Sequence, residues 1–181
     1  YFIFDYQGYG KSEGVSSQEG TILDGCAALE FITKKMPGHS LVLVGQSLGG
    51  AIALRVAIDL KDKLPIRLVV ADSTFYSYQA ISRKVLARRW FTWWLQPLAW
   101  VLVSDQYAPE DEIEKISPIP LIVVHGTKDH VVEYELGEKI FELAKEPKEF
   151  WSIPEGRHID CFWKFPQICQ KKLLEKLKTI Y

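Results

Sequence analysis

Three side chains in this sequence are of the types that perform nucleophilic catalysis: Ser47, Asp129 and His158. Ser47 lies in a Gly-x-Ser-x-Gly pattern, where an apolar run with β-branched residues ends at Gly45 and a helix-prone run continues through Ala57. This context is typical of a nucleophile elbow, in which glycines let the helix pack close and a strained turn exposes the serine hydroxyl. The pattern arises by chance in about 6% of chains of this length, so the interpretation depends on partners for Ser47.

A serine nucleophile needs a base that accepts its proton, and the base needs an acid that fixes its tautomer. Asp129 and His158 each follow a predicted strand by five residues. Because ligands bind at the carboxyl ends of the strands in an open α/β sheet, both side chains are expected near Ser47. The spacing therefore predicts a catalytic triad of these three residues. In the alternative, Asp129 only forms a turn and His158 is an exposed loop residue.

Two other assignments compete with this triad. Asp72 also follows a predicted strand, so it competes with Asp129 as the acid. His125 and His130 flank Asp129, but a metal site there would need ligands that converge from elsewhere in the chain. Neither a metal nor a cofactor is predicted. Without catalysis, the glycine turn would only connect a strand to a helix, with Ser47 as a helix cap.

The predicted elements that position these side chains alternate between strands and helices. Strands that are apolar on both faces indicate an α/β fold, with a mostly parallel open sheet and helices on both faces. The glycine-rich loop Tyr6–Gly14 lacks the spacing of a Walker A loop, so phosphate binding is disfavoured. Predicted strands cover residues 1–5, 40–45, 66–71, 121–124 and 148–153, and predicted helices cover 17–35, 47–59, 133–145 and 159–180, the last interrupted at Pro166.

The composition fits a single domain over residues 1–181. Hydrophobic residues make up 48% of the chain, and the formal net charge of −1 gives no indication of nucleic-acid binding. Cys26, Cys161 and Cys169 are sparse and not spaced as metal ligands, so reduced thiols in the cytoplasm are expected. The sequence has no signal peptide or uninterrupted apolar run of about 20 residues. It begins at Tyr1 inside a strand-like run without an initiating Met, so a larger protein is expected.

Four motifs follow one another along nearly the whole chain: Asp5–Gly14 (DYQGYGKSEG), Gly45–Gly50 (GQSLGG), His125–Val132 (HGTKDHVV) and Gly156–His158 (GRH). With these motifs the sequence resembles α/β-hydrolase-fold proteins, in particular the Bem46-like branch of serine hydrolases, in which the order is Ser, Asp, His. The resemblance implies roles for four residues: Ser47 as nucleophile, Asp129 as acid, His158 as base, and the backbone N–H of Leu48 as an oxyanion donor.

The same resemblance implies a serine hydrolase that cleaves small-molecule carboxylic esters or thioesters through an acyl-enzyme. An aminopeptidase-like peptidase of this fold and a non-catalytic binding module are the alternatives. In the family, a second oxyanion donor normally comes from a loop after an earlier strand, and no such segment precedes Tyr1. Because loss of one donor costs about 10²–10³ in rate, the chain as given is expected to be part of a larger hydrolase and weak or inactive alone.

Residues 75–118 interrupt the alternation and are predicted to form a helical lid or cap insertion. The segment 83–100 holds four of the six tryptophans, four cations and no acid. An apolar lid suits an acyl-chain substrate, with Trp90, Trp93 and Trp94 as candidate contacts. Cations beside Trp and Phe also suit an interfacial helix, so contact of residues 83–100 with a membrane surface is a second interpretation. In the third, these aromatic side chains pack onto the core. The sequence does not indicate an oligomeric state.

Overall fold

A parallel sheet of four strands forms the centre of the fold, and the computed structural model describes residues 1–180. Adjacent strands pair in parallel, so the predicted α/β class is confirmed. Gln46 lies beside Asp72, so the strands that hold these two residues end at the same level, whereas the strand of Val124, which lies beside Asp72, continues for two more residues. The strands, in spatial order, are β1 Leu41–Gln46, β2 Ile66–Asp72, β3 Leu121–Gly126 and β4 Lys148–Ile153.

Each predicted helix is present, and the predicted interruption at Pro166 separates the last two helices. Short 3₁₀ helices add Trp93–Leu95 and Glu110–Ile116. No helix within residues 1–180 combines the length and apolar character needed to cross a bilayer. The α-helices are α1 Gln18–Lys35, α2 Leu48–Leu60, α3 Tyr78–Ala87, α4 Gln96–Leu102, α5 Tyr134–Leu143, α6 Asp160–Lys164 and α7 Pro166–Ile180.

Alternate residues of the strands pack against helices on opposite faces of the sheet, as predicted. On one face, Val69 and Val123 pack in a cluster with buried residues of α1, α2 and α5. On the other face, Val70 and Val124 pack with α6 and α7. A smaller cluster joins the start of α3 to α2 and α5. Because both faces of the central strands β2 and β3 are buried, these two strands read as nearly continuous apolar runs, which is why the sequence identifies them.

The prediction of a strand at residues 1–5 is wrong. The structure has no strand there, and Tyr1 and Ile3 are exposed. Phe2 instead stacks on Phe31 of α1, with ring centroids 5.9 Å apart. Phe4 contacts Tyr6 edge to face, with ring centroids 4.9 Å apart. An aromatic run signals side-chain packing, which an irregular segment against a helix also provides, whereas pairing in a strand ladder is not encoded locally.

The prediction of reduced cysteines is wrong for two of the three residues. Cys161 of α6 and Cys169 of α7 form a disulfide, with Cα atoms 5.7 Å apart, and Cys26 is free. The break between the two helices brings these buried side chains together behind the sheet, which a separation of eight residues does not reveal. Because disulfides are rare in the cytoplasm, the cysteines no longer argue for a cytoplasmic location.

Candidate active site

The turn that carries Ser47 has a strained backbone held by the neighbouring strand. Ser47 has φ 52° and ψ −125°, a conformation that non-glycine residues rarely adopt and that costs about 1–3 kcal/mol. The N–H of Ser47 donates to the carbonyl oxygen of Asp72 over 2.9 Å. The hydroxyl of Thr74 donates to the Ser47 carbonyl oxygen over 2.6 Å. These two hydrogen bonds tie the turn to the end of β2 and maintain its conformation.

Gly45 and Gly50, rather than Gly49, allow the close approach of the turn to its surroundings. A Cβ on Gly45 would lie 2.2 Å from the carbonyl oxygen of Gly49, and one on Gly50 would lie 2.5 Å from Thr74 Cβ. At Gly49 nothing lies within 4 Å of that position. The expectation that the glycines of the motif serve close packing is therefore correct for Gly45 and wrong for Gly49.

We expect Gly45→Ala to lower the free energy of unfolding by about 3 kcal/mol, because the new Cβ meets backbone atoms that cannot move aside. Gly49→Ala is the matched control, since it lies in α2 with open space around it. Alanine there should raise the free energy of unfolding by about 0.5–1 kcal/mol through its helix propensity. Urea unfolding of both variants checks the prediction. Equal losses in the two variants would contradict the packing assigned to Gly45.

Asp129 and His158 lie together at the carboxyl ends of β3 and β4. Asp129 Oδ2 accepts a hydrogen bond from His158 Nδ1 over 2.8 Å. The Asp129 carboxylate is buried, whereas the imidazole of His158 is partly exposed. Because a carboxylate only accepts, Nδ1 carries the proton and Nε2 of the neutral ring is the atom that can take another. The pair therefore has the geometry of an acid that orients a base.

The second oxygen of Asp129 is held by backbone groups of its own turn. Asp129 Oδ1 accepts from the N–H of Val131 over 2.8 Å and from the N–H of Val132 over 2.9 Å. Burial by itself raises the pKa of Asp129, but the hydrogen bonds from His158 and these two N–H groups bring the pKa below its usual value. Asp129 is therefore ionised at neutral pH and fixed in one orientation.

His125 supports the Asp129 turn from the end of β3. Its buried Nε2 donates to the Val132 carbonyl oxygen over 2.9 Å and lies 3.5 Å from Asp129 Oδ2. Its buried Nδ1 has no hydrogen-bond partner in the part of the chain that the structure describes. Burial lowers the pKa of His125, with partial opposition from Val132 and Asp129. The neutral ring fits the structural role that the sequence favours for it.

Asp72 lies near His158, but the two side chains form no hydrogen bond within residues 1–180. Asp72 Oδ2 accepts from Gln46 Nε2 over 2.8 Å, and Oδ1 accepts from Ser73 Oγ over 3.2 Å. Burial raises the pKa of Asp72, and these hydrogen bonds oppose the shift. Ser73 Oγ in turn accepts from the N–H of Ile159 over 3.0 Å. Among the described residues, the Asp72 side chain is thus connected to the His158 loop only indirectly, through Ser73 Oγ and the backbone N–H of Ile159.

A cavity of about 410 Å³ opens beside His158. Gln46, which directly precedes Ser47, contributes to its wall, so the cavity lies next to the turn of the candidate nucleophile. Ser47 Oγ and His158 form no hydrogen bond among the described residues, and such bonds are often long before substrate binds. The N–H of Leu48 is the first in α2 and has no partner within the helix. The lining residues are Gln46, His158, Ile159, Asp160, Phe162 and Trp163.

The tryptophans of the insertion lie on the surface. Trp90, Trp93 and Trp94 are 83%, 59% and 64% exposed, so the interpretation in which they pack onto the core is wrong. A separate cavity of about 460 Å³ lies between α3 and α4, and none of these three tryptophans lines it. Their role as substrate contacts stays a prediction. The cavity is lined by Ile81, Ser82, Val85, Leu86, Leu95, Leu98, Ala99, Leu102 and Val103.

A metal site at the Asp129 turn lacks ligands. His125 approaches Asp129, but His130 is exposed. Over residues 1–180, no group of three or more His, Cys, Asp or Glu side chains is arranged to hold a metal ion.

Sequence reasoning missed the hydrogen-bonded network that joins the Ser47 turn to the His158 loop. It runs from Gln46 through Asp72 and Ser73 to the N–H of Ile159. Ser73 and Ile159 have φ values of 51° and 54°, which non-glycine residues rarely adopt. The types and spacing of the residues do not predict such φ values. The one available signal was proximity in sequence, since each residue adjoins a strand end or His158.

The chain matches known proteins along most of its length. Residues 1–117 match the family model described as serine aminopeptidase, S33. The uncharacterized protein YfhR of Escherichia coli (strain K12) is 41% identical over 163 residues, which cover 89% of this chain and 54% of YfhR. Protein bem46 of Schizosaccharomyces pombe is 30% identical over 166 residues, which cover 88% and 52%. The chain thus spans about half the length of these curated relatives.

The fold also occurs among solved structures. The esterase Pf2001 of Pyrococcus furiosus superposes with a TM-score of 0.72 at 22% identity, covering 97% of this chain and 68% of the esterase. At this level of identity the likeness establishes a shared α/β-hydrolase fold, in agreement with the parallel sheet and its helices.

Proposed function

This chain belongs to the serine aminopeptidase S33 family of α/β hydrolases, similar to the Bem46-like branch, and from that premise we propose that it cleaves carboxylic esters or thioesters as a serine hydrolase. The observation that carries the proposal is the Asp129–His158 hydrogen bond of 2.8 Å beside the strained Ser47 turn. A buried, ionised acid that holds one tautomer of a partly exposed histidine is what a serine nucleophile needs from its base.

In the proposed acylation step, Ser47 Oγ attacks the carbonyl carbon of the substrate and its proton moves to His158 Nε2. The electron pair of the carbonyl bond moves to oxygen, and the Leu48 N–H at the positive end of α2 donates to that oxyanion. Asp129 stabilises the imidazolium that forms. Collapse of the tetrahedral intermediate breaks the bond to the leaving group, which takes the proton from His158 as an alcohol or thiol.

Deacylation repeats these steps with water as the nucleophile. His158 Nε2 takes a proton from water as the water oxygen attacks the acyl carbon on Ser47. The intermediate then releases the carboxylic acid, and the proton returns to Ser47 Oγ. The reaction consumes one water molecule and leaves the enzyme unchanged.

The surroundings of His158 favour esters over peptides with a free amino terminus. An aminopeptidase must bind a substrate ammonium group, for which a carboxylate is the natural partner. Asp160 is the only carboxylate in the described wall of the cavity beside His158. It already accepts from the N–H of Arg157 over 2.9 Å and lies 3.9 Å from Lys164 Nζ. Besides Gln46, His158 and Asp160, the wall consists of the apolar residues Ile159, Phe162 and Trp163, which suit an acyl group. The name of Pf2001, an esterase, supports the same class.

We expect the full-length protein to hydrolyse p-nitrophenyl esters and to give no detectable hydrolysis of aminoacyl p-nitroanilides, whose amide bond is cleaved by a peptidase. The esters release p-nitrophenolate and the anilides release p-nitroaniline, and both products can be followed by absorbance under the same conditions. Hydrolysis of the anilides would identify a peptidase. If a folded protein hydrolysed neither, the non-catalytic binding module would be favoured.

A further inference from the structure

The insertion carries an unusually apolar stretch of surface in residues 83–102, here called the insertion surface. Trp100 is 60% exposed and Val101 is 79% exposed, in addition to the three tryptophans described above. Contiguous exposed apolar groups of this size mark a contact with another molecule or with a membrane. The exposed apolar residues of the insertion surface are Val85, Trp90, Phe91, Trp93, Trp94, Leu98, Trp100, Val101 and Leu102.

The cavity between α3 and α4 opens onto this surface. Val85, Leu98 and Leu102 line the cavity and are also exposed to solvent. The remaining wall is aliphatic except for Ser82. An apolar cavity of about 460 Å³ that opens among exposed aromatic side chains suits a flexible hydrocarbon chain better than a polar ligand.

The charges of the insertion surface are all positive. From Tyr78 to Ser104 the chain has Arg83, Lys84, Arg88 and Arg89 but no Asp or Glu. These four cations do not all remain available to a partner. Arg88 binds Glu133 over 3.1 Å, and Lys84 lies 3.9 Å from Glu135.

Arg83 and Arg89 form no ion pair within residues 1–180 and lie against aromatic rings. The guanidinium of Arg83 lies 5.1 Å from the Trp100 ring, and that of Arg89 lies 5.9 Å from the Phe91 ring. Each arginine thus lies beside an exposed aromatic ring. Such pairs occur where a protein surface contacts both the headgroups and the acyl chains of a lipid bilayer. A soluble protein partner would not require both cations and an open hydrocarbon cavity.

We propose that the insertion surface docks on an anionic lipid bilayer, with its tryptophans in the headgroup region and the α3–α4 cavity open to acyl chains. This inference goes beyond the proposed hydrolase and does not depend on it, because docking requires no catalysis. Headgroup phosphates are the partners of Arg83 and Arg89, and each cation near an anionic surface strengthens binding by about 5-fold.

The test measures co-sedimentation of the full-length protein with vesicles of phosphatidylcholine alone or with 30% phosphatidylserine, a composition chosen as a typical anionic surface. We expect binding to the anionic vesicles that weakens with added salt. Arg83→Gln with Arg89→Gln should weaken it by about 25-fold. Trp93→Ser and Trp94→Ser should each weaken it by about 10-fold or more.

Leu23→Ser is the matched control. Leu23 is 61% exposed but lies in α1, outside both the insertion surface and the cavity beside His158, so its loss should leave vesicle binding unchanged. Absence of binding to anionic vesicles would overturn the proposal, as would an equal loss in the Leu23 variant. Light scattering of the same variants tests the alternative that a second copy of this chain binds to the insertion surface. If Trp93→Ser dissociates an oligomer and does not affect vesicle binding, the surface is an interface between copies of this chain and the proposal is wrong.

Discussion

Replacement of Ser47 by alanine is expected to lower kcat for ester hydrolysis by about 10⁶-fold, the loss seen when a triad nucleophile is removed. The only covalent partner for the acyl group disappears, while the turn keeps its hydrogen bonds, since these use the backbone of Ser47. Stability should therefore change little, because the Ser47 side chain makes no capping hydrogen bond to α2. Kinetics with a p-nitrophenyl ester, together with urea unfolding, measure both effects.

A serine elsewhere in the chain provides the control for this variant. Ser152 lies exposed in β4, so Ser152→Ala should retain the wild-type rate and stability. If Ser47→Ala kept even a tenth of the wild-type kcat, Ser47 would not be the nucleophile. A loss of rate accompanied by unfolding would instead place the role of Ser47 in the turn, in conflict with the proposed mechanism.

Asp129→Asn is expected to lower kcat by about 10⁴-fold through the wrong histidine tautomer. The N–H groups of Val131 and Val132 need an acceptor, so the amide oxygen takes the place of Oδ1. The amide NH₂ then faces His158 Nδ1, which must accept rather than donate. The imidazole proton moves to Nε2, and the base can no longer take the proton of Ser47.

Comparison of Asp72→Asn with Asp129→Asn shows which of the two aspartates acts as the acid. Asparagine can still accept from Gln46 Nε2, and Asp72 reaches His158 only through Ser73 and the Ile159 backbone. A small displacement of the His158 loop should cost at most about 10²-fold in kcat. Steady-state kinetics of both variants with one ester substrate provide the comparison. A larger loss in Asp72→Asn than in Asp129→Asn would make Asp72 the acid and contradict the assignment.

Much of the fold could be predicted because the sheet is buried on both faces. Strands such as Leu121–Gly126 stand out as short, largely apolar runs between helices and turns, and their order along the chain determines which ends can hold catalytic groups. The segment 1–5 shows the limit of this reasoning. Its aromatic side chains pack on α1 without a ladder, and no local pattern separates the two arrangements.

The meeting of Asp129 and His158 could be predicted, but the contacts that support these residues could not. Asp129 and His158 follow strands, so their meeting follows from the topology of a parallel sheet. The Gln46–Asp72–Ser73 network and the Cys161–Cys169 disulfide depend on side-chain directions after turns, which spacing does not encode. The sequence favours Asp129 over Asp72 but leaves Asp72 as a rival, because both residues follow strands. In the structure, Asp129 is the one that hydrogen-bonds His158.

Covalent labelling of the full-length protein tests the central claim most directly. A fluorophosphonate reacts with an activated serine, and mass spectrometry of the digested protein then locates the phosphonyl group. We expect the adduct on the peptide that contains Ser47, and no adduct in Ser47→Ala or, over the same time, in His158→Ala. An unlabelled wild-type protein that is folded, or an adduct on a different serine, would contradict the assignment of Ser47 as the nucleophile.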